Sequence, residues 1–333
     1  MRRTLYILGA LLVFLGVVAF VLLYLGRKAT PDHIIYGMSF NAPYALELGL
    51  DPQKAFVAML DELHVKHLRL AAHWTVVEPA QGVYDWSVSD FQLQEAEKRN
   101  VDVIFGVGRR LPRWPECHVP PWAKQLSWDD QKKEIRQYLT ETVNRYKDNT
   151  SITYWQVENE PFLSVFATDF CGPLDEDFLK EEIALVHVLD PTRPVLVTDS
   201  GNLGTWRGAY SLGDAFGTSV YVYFWNPQLG QFRSALPPFA YRVKEGVMRL
   251  LFGAKRTFLI ELSLEPWLVE PLETVPLATQ FSRMDAKKFD EIIAYAKATR
   301  YDTQYLWGVE WWYWLKLQGY PEMWEKGKTL FNQ

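Results

Sequence analysis

The chain has 333 residues, with 35 lysine and arginine side chains against 40 aspartate and glutamate side chains. A hydrophobic fraction of 48% excludes a disordered chain, and the absence of a basic excess argues against a nucleic-acid-binding protein. Two cysteines are too few for a disulfide scaffold or a cysteine-based zinc cluster. The aromatic fraction is 15%, with 14 tryptophans, which is more than packing alone explains.

The N-terminal segment has the pattern of a membrane anchor. Arg2 and Arg3 precede 23 uncharged residues, 4–26, and Arg27 and Lys28 follow. As an α-helix, at about 1.5 Å per residue, this run is roughly 35 Å long, which is enough to cross a bilayer core. It is longer than the apolar region of a cleaved signal peptide, and it lacks the polar face of a helix that lies on a membrane. We predict one N-terminal transmembrane helix that acts as an uncleaved signal anchor.

The charges on the two sides of this run nearly balance, and the N-terminal amine favours a cytoplasmic N-terminus. Residues 1–32 are therefore predicted to form a cytoplasmic tip, the transmembrane anchor and a short tether. Residues 33–333 are predicted to form one domain, held outside the cytoplasm by a single-pass anchor.

From residue 33 onward, short apolar runs typical of β-strands alternate with longer helical patterns. The runs are 33–38, 67–71, 101–107, 152–157, 194–198, 217–223, 257–260 and 305–311. The helical patterns are 51–63, 88–99, 129–146, 175–189, 242–251 and 285–299. Eight apolar strands with helical crossovers predict an α/β fold, a (β/α)8 TIM barrel. A doubly wound sheet is the alternative, but no G-x-G-x-x-G follows the first run.

The chemistry of such a barrel lies at the carboxyl ends of its strands. Glu160 follows the fourth run and Glu261 ends the seventh, while Tyr, Trp, Asn and Arg side chains follow the others. Cleavage of a glycosidic bond needs one carboxyl group to protonate the leaving oxygen and another to attack or to activate water. Aromatic rings stack on the apolar faces of sugars. The pattern therefore favours a carbohydrate-cleaving site.

Four motifs in chain order resemble those of the clan A glycoside hydrolases, the group that includes cellulases and β-glycosidases. Residues 155–161 are similar to the fourth-strand Asn-Glu-Pro motif of this clan, and residues 68–86 to its second strand. Residues 259–261 resemble the seventh strand, and residues 308–314 the eighth. The resemblance covers the chain after the predicted anchor.

The resemblance implies a retaining glycoside hydrolase that cleaves β-glycosidic bonds by a two-glutamate double displacement. Glu160 matches the acid/base and Glu261 the nucleophile. Pro161 is expected to keep Glu160 in an extended backbone conformation. The implied substrate is an oligo- or polysaccharide, with no metal and no cofactor; the other predicted partner is the membrane.

The resemblance also implies the substrate-binding residues. Asn159 matches the residue that holds a sugar hydroxyl, and Arg69 and Tyr221 match groups that orient the nucleophile. Trp74 and Trp312 are expected to serve as sugar platforms. Two further tryptophans are candidates for the same role, Trp114 and Trp225.

Several alternatives stay open at this point. Glu265 also precedes a proline, although Glu261 is preferred because it directly ends an apolar run. A slip of one residue in the eighth strand would select Trp311. Cys117 and Cys171 form either a disulfide or two free thiols. The main rival function is a non-catalytic carbohydrate-binding or cell-surface assembly protein on the same barrel. A Schiff-base aldolase or lyase is disfavoured because neither the sixth nor the seventh run contains lysine.

Overall fold

The computed structural model describes residues 2–114, 116–165, 168–268 and 270–332. The strands are β1 Ile35–Ser39, β2 His67–Ala71, β3 Asp102–Val107, β4 Ile152–Val157, β5 Val195–Asp199, β6 Ala215–Val220, β7 Tyr223–Asn226, β8 Gly230–Arg233, β9 Arg256–Ser263 and β10 Thr303–Trp307. The α-helices are α1 Arg2–Leu25, α2 Ala42–Glu47, α3 Pro52–Glu62, α4 Trp74–Val77, α5 Ser87–Lys98, α6 Trp128–Tyr146, α7 Thr168–Cys171, α8 Glu176–Leu189, α9 Arg207–Leu212, α10 Pro238–Phe252, α11 Leu277–Arg283, α12 Ala286–Thr299, α13 Val309–Leu317 and α14 Glu322–Phe331. Short 3₁₀ helices cover Ala123–Gln125 and Leu272–Thr274.

Eight of these strands close into a parallel barrel in the order β1-β10-β9-β6-β5-β4-β3-β2. The remaining two, β7 and β8, pair as an antiparallel hairpin between the sixth and seventh barrel strands. All residues of β5 and β6 are buried, as expected for strands covered on both faces. The predicted (β/α)8 barrel is confirmed.

Side-chain caps fix where several of the outer helices begin. The Asp51 carboxylate accepts hydrogen bonds from two backbone N–H groups at the start of α3. Asp175 caps α8 and Asp285 caps α12 in the same way. Each cap satisfies donors that the first helical turn leaves unpaired. The helices therefore begin within a few residues of the predicted positions.

The eighth barrel strand is shorter than the apolar run predicts. β10 ends at Trp307, and Gly308, with a φ of 119°, begins α13. A Cβ atom on residue 308 would lie 3.0 Å from the Cβ atom of Glu265, so this turn needs glycine for space as well as for φ. Trp311 and Trp312 therefore belong to a helix, and the predicted strand 305–311 is wrong beyond Trp307.

The N-terminal helix α1 ends against α10. A Cβ atom on Gly26 would lie 2.3 Å from the Phe239 ring, and the Lys28 ammonium pairs with Glu245 at 2.7 Å. Several side chains of the predicted anchor, including those of residues 2–5, lie outside the described residues. Within the described part of the chain, no helix combines the length and apolarity needed to cross a membrane. The structure does not support the predicted transmembrane helix.

Candidate active site

The segment after β4 carries two glutamates in an unusual backbone conformation. Glu158 has a φ of 56° and Glu160 a φ of 44°, both in the left-handed region. Glu160 is therefore not extended, contrary to the effect expected of Pro161. The Glu158 carboxylate accepts hydrogen bonds from the backbone N–H groups of Arg109 at 2.7 Å and Arg110 at 2.5 Å. These bonds fix the segment to the loop that follows β3.

Glu261, in β9, is held by a side chain of β2 and by one that directly follows β6. Arg69 Nη1 donates to Glu261 Oε1 at 2.6 Å, and the Tyr221 hydroxyl donates to Glu261 Oε2 at 3.0 Å. Arg69 is buried and also donates from Nε to Gln156 Oε1 at 2.7 Å and from Nη2 to Asn159 Oδ1 at 2.6 Å. A buried guanidinium is tolerated only when its donors are satisfied in this way. The Glu261 carboxylate is thus fixed as a hydrogen-bond acceptor.

Glu160 has the opposite environment. Its carboxyl group is buried, and among the described residues its Oε1 atom has no hydrogen-bond partner. Burial, and next the charge of Glu261, raise the pKa of Glu160 well above its ordinary value. The backbone N–H of Glu160 donates to Thr198 Oγ1 at 2.9 Å, which ties the residue to β5. One carboxyl group is therefore biased toward its protonated form, while its neighbour accepts hydrogen bonds from arginine and tyrosine.

The amide of Asn159 has a defined orientation. Its Oδ1 atom accepts from Arg69 Nη2 at 2.6 Å and from Thr198 Oγ1 at 3.1 Å. Because a guanidinium only donates, the group that faces it must be the oxygen. The Nδ2 atom is then a donor, and it lies 3.1 Å from Glu116 Oε2.

Glu116 is a third carboxyl group of the site, one that sequence reasoning missed. It lies in the loop after β3, and burial, followed by the charge of Glu261, raises its pKa to about 7. The Arg110 guanidinium opposes this rise, with its Nε atom 4.0 Å from Glu116 Oε2. Nothing in the local sequence marks Glu116 apart from its position shortly after the third strand.

Two of the predicted sugar platforms require correction. Trp74 is fully buried, with its Nε1 donating to Glu78 Oε2 at 2.7 Å. Trp312 is also fully buried, on α13, with its Nε1 donating to the carbonyl of Leu264 at 2.8 Å. Neither indole ring presents a face to a ligand, because both rings are part of the packing beneath the barrel mouth.

The tryptophan at the end of the eighth barrel strand is Trp307. It is half-buried, and its ring centre lies 6.2 Å from that of Tyr221. The Tyr221 ring also meets Trp267 edge-on at 5.3 Å. Trp307 and Trp267 thus pack around Tyr221, the residue that bonds Glu261. The sequence predicts other tryptophans, Trp74 and Trp312, as the aromatic residues of the site.

Arg113 bridges the barrel mouth. Its guanidinium binds both oxygens of Glu265, at 2.5 and 2.8 Å, and one oxygen of Glu310 at 3.3 Å. The guanidinium carbon lies 3.5 Å from the Tyr44 ring centre and 4.6 Å from that of Trp307. Glu265, the alternative nucleophile, is therefore held in an ion pair with Arg113.

The cysteine alternatives are also resolved. Cys117, after β3, and Cys171, after β4, form a disulfide with Cα atoms 5.4 Å apart. The exposed ring of Trp114 meets Phe170 beside this bond, with ring centres 4.7 Å apart. Trp225 lies on the β7–β8 hairpin under the guanidinium of Arg283, at 4.2 Å.

Comparison with known proteins agrees with this geometry. Residues 69–171 match the model of glycosyl hydrolase family 10. That range includes Arg69, the β3–α6 loop, Asn159 and Glu160. The resemblance to the clan A glycoside hydrolases is confirmed.

Among curated proteins, the chain is similar to the β-galactosidase BgaA of Clostridium cellulovorans, with 24% identity over 171 residues. The match covers 46% of this chain and 25% of that protein. Endo-1,4-β-xylanase 1 of Arabidopsis thaliana is 25% identical over 126 residues, which cover 38% of this chain and 12% of that protein. The chain thus spans a quarter or less of the length of these relatives.

Solved structures share the fold. The β-galactosidase of Rahnella sp. R3 superposes with a TM-score of 0.57 and 15% identity, over 85% of this chain and 51% of that one. An endo-β-1,4-xylanase from Gloeophyllum trabeum superposes with a TM-score of 0.52 and 16% identity, over 84% and 85% of the two chains. At these identities the likeness shows the fold alone.

Proposed function

We propose that the barrel is a retaining glycoside hydrolase that cleaves β-glycosidic bonds in an oligo- or polysaccharide. The observation that carries this proposal is the contrast between its two strand-end glutamates. Glu261 receives hydrogen bonds from Arg69 and Tyr221, whereas Glu160 is buried, has a raised pKa and carries one oxygen without a hydrogen-bond partner in the described part of the chain. Two carboxyl groups with opposite environments are the requirement for an acid and a nucleophile at the same pH.

In the first step, Glu261 attacks the anomeric carbon while Glu160 transfers its proton to the leaving glycosidic oxygen. The bond from carbon to that oxygen breaks, and an ester forms between the sugar and Glu261. In the second step, Glu160, now ionised, removes a proton from water, which attacks the anomeric carbon and releases Glu261. A retaining mechanism of this kind requires the two carboxyl groups to lie about 5–5.5 Å apart.

Other residues of the site support this chemistry. Arg69 fixes the direction of the Glu261 carboxylate and, through the same guanidinium, the orientation of Asn159. Asn159 Nδ2 is then aimed as a donor toward the position of a sugar hydroxyl. Trp307, at the end of β10, offers a ring for the apolar face of the sugar in place of the buried Trp312.

The test replaces each glutamate separately. Glu160→Gln and Glu261→Ala are each expected to lower turnover of an alkyl β-glycoside by about 10³-fold or more, because each removes a proton donor or the nucleophile. Glu245→Gln, which changes a buried glutamate that pairs with Lys28 away from the mouth, is the matched control. Full activity in both site variants, with thermal unfolding unchanged, would refute the assignment.

We further propose that the domain works outside the cytoplasm, because disulfides persist in oxidising compartments. The Cys117–Cys171 bond supports this location. Labelling with a thiol reagent under denaturing, non-reducing conditions tests it on protein taken from its native host. Protection of both cysteines is expected, and complete labelling would contradict the proposal.

A further inference from the structure

The loop after β3 crosses the mouth of the barrel. We call its described parts, residues 109–114 and 116–118, the strap. At one end, the backbone N–H groups of Arg109 and Arg110 are held by the Glu158 carboxylate. At the other end, Cys117 is bonded to Cys171. Between these anchors, two charged side chains of the strap point into the candidate active site.

Glu116 accepts a hydrogen bond from the side-chain amide of Asn159. The Asn159 oxygen is already taken by Arg69 and Thr198, so Nδ2 is the atom left for a sugar hydroxyl. In the structure this atom donates to Glu116 Oε2 at 3.1 Å. Nδ2 carries two hydrogens, and Glu116 takes one of them, so a sugar hydroxyl that needs this donor position cannot bind while Glu116 stays in place.

Arg113 covers the ring at the end of the eighth barrel strand. Its guanidinium carbon lies 4.6 Å from the centre of Trp307 and 3.5 Å from that of Tyr44, so the group is layered between two aromatic rings. Glu265 and Glu310 neutralise its charge from the side. Cation–π contacts with desolvated rings and a bidentate carboxylate pair are individually favourable, so the covered state is stabilised.

The backbone of the strap carries a cost that opposes these contacts. Arg113 has a φ of 89° and Glu116 a φ of 70°, and neither residue is glycine. Such a conformation is unfavourable for a residue with a Cβ atom and persists only where surrounding contacts enforce it. Here the enforcing contacts are those with Glu265, Glu310 and Asn159. The favourable side-chain contacts of the closed strap are thus opposed by the unfavourable backbone conformation of Arg113 and Glu116.

We propose that the strap is an autoinhibitory element, which occupies the sugar position through Arg113 and Glu116 and swings away before a glycoside binds. This inference rests on the proposed function, because that function identifies Asn159 and Trp307 as sugar contacts. The two side chains come from one short segment, yet they cover two contacts from different parts of the barrel, one after β4 and one at the end of β10. Opening therefore frees both contacts together, and the disulfide limits how far the strap can travel.

The test measures binding and turnover in strap variants. Arg113→Ala and Glu116→Ala are each expected to bind deoxynojirimycin, a monosaccharide mimic that keeps the hydroxyl beside the reacting carbon, about tenfold more tightly and to raise kcat/KM on aryl β-glycosides by a similar factor. Glu116→Gln keeps an oxygen that accepts from Asn159 and is expected to give a smaller gain than Glu116→Ala. Cys117→Ser/Cys171→Ser, which releases one anchor, should shift both readouts in the same direction as Arg113→Ala.

Arg193→Ala is the matched control for loss of a half-buried, ion-paired arginine. Its guanidinium pairs with Asp190 and donates to the carbonyl of Ile152, at the opposite end of β4 from Glu160. We expect this variant to lose stability without any gain in binding. Because Arg113→Ala leaves Glu265 and Glu310 unpaired, each variant is also checked by thermal unfolding.

The outcomes separate the two proposals. Tighter binding and faster turnover in the Arg113 and Glu116 variants support both. Tighter binding without turnover in any protein supports the strap but refutes the glycosidase, and it favours the non-catalytic carbohydrate-binding alternative. Active wild-type protein whose binding and turnover weaken in both alanine variants overturns the strap, because these side chains then contact the substrate. No binding and no turnover in any protein overturns both.

Discussion

The two sides of the barrel mouth each hold a glutamate, and the surroundings of the two carboxyl groups are opposite in character. On the β9 side, Glu261 accepts hydrogen bonds from a guanidinium of β2 and from a phenol that directly follows β6. On the β4 side, Glu160 is buried beside other carboxyl groups, and its pKa rises as a result. The difference shows that position at a strand end is not sufficient to define a role. The neighbours decide which glutamate accepts and which donates a proton.

The largest effect is expected where the Glu261 side loses its charge partner. Arg69→Met removes three of the bonds that hold Glu261, Asn159 and Gln156, and it leaves a buried carboxylate unpaired. Breaking such a pair costs about 3–5 kcal/mol of stability. A loss of the same size in the transition state would lower kcat/KM by about 10²–10⁴-fold. Steady-state kinetics on an aryl glycoside measures this loss.

Tyr221→Phe, which removes one hydroxyl from the same carboxylate, is the milder companion and should cost less than Arg69→Met. Equal activity of wild type and Arg69→Met, at equal stability, would show that the Glu261 environment has no catalytic role.

The Glu160 side is tested by pH. Because burial, and next the charge of Glu261, raise its pKa, Glu160 keeps its proton to a higher pH than an ordinary glutamate does. On an alkyl glycoside, whose leaving oxygen needs that proton, kcat/KM should fall about tenfold per pH unit once Glu160 ionises. On a dinitrophenyl glycoside, whose leaving group needs no proton, this alkaline limb should be weak. Identical alkaline limbs for the two substrates would contradict the role of Glu160 as the acid.

A smaller effect, on stability, is expected from Glu182 beneath the same side. Burial, and next the charge of Glu158, raise the pKa of Glu182 well above 4.5. The folded protein then keeps a proton that the unfolded chain releases, so the free energy of unfolding falls as pH rises from about 5 until Glu182 ionises in the folded state. Glu182→Gln should reduce this slope and stabilise the protein at about pH 8 by on the order of 1 kcal/mol.

Urea unfolding at several pH values measures this change. Glu181→Gln is the control, because Glu181 is an exposed neighbour that pairs with Arg136 on the surface. An unchanged slope in Glu182→Gln would mean that this residue is already ionised in the folded protein.

The barrel could be predicted from the sequence because its strands are apolar on both faces and its helices have polar caps. β2 and β4 begin and end at the predicted residues. The same pattern located Glu160 shortly after β4 and Glu261 near the end of the seventh barrel strand, although β9 continues to Ser263, beyond the predicted run. The end of β10 was harder to predict, because the run 305–311 is apolar in its strand part and in its helical part. The boundary between the two parts is marked by the positive φ of Gly308.

The strap could not be predicted, because its contacts join residues that are far apart in sequence. Arg113 and Glu265 are separated by 152 positions, and Arg113 and Glu310 by 197. No local pattern specifies such pairs. The burial of Trp74 could not be predicted for the same reason. The local sequence of a tryptophan after a strand does not specify whether its ring faces the cleft or packs below it.

The hydrogen bonds between the Glu158 carboxylate and the strap limit which substitutions the protein tolerates nearby. Glu158 lies two residues before Glu160, and its carboxylate fills the space beside Gly108, where an added Cβ atom would lie 2.6 Å from Glu158 Oε1. A side chain at position 108 would displace this carboxylate, and with it both the base of the strap and the segment that carries Glu160. Sequence variation at 108 and at 158 is therefore coupled, so libraries that diversify the mouth should hold this pair constant or change both residues together.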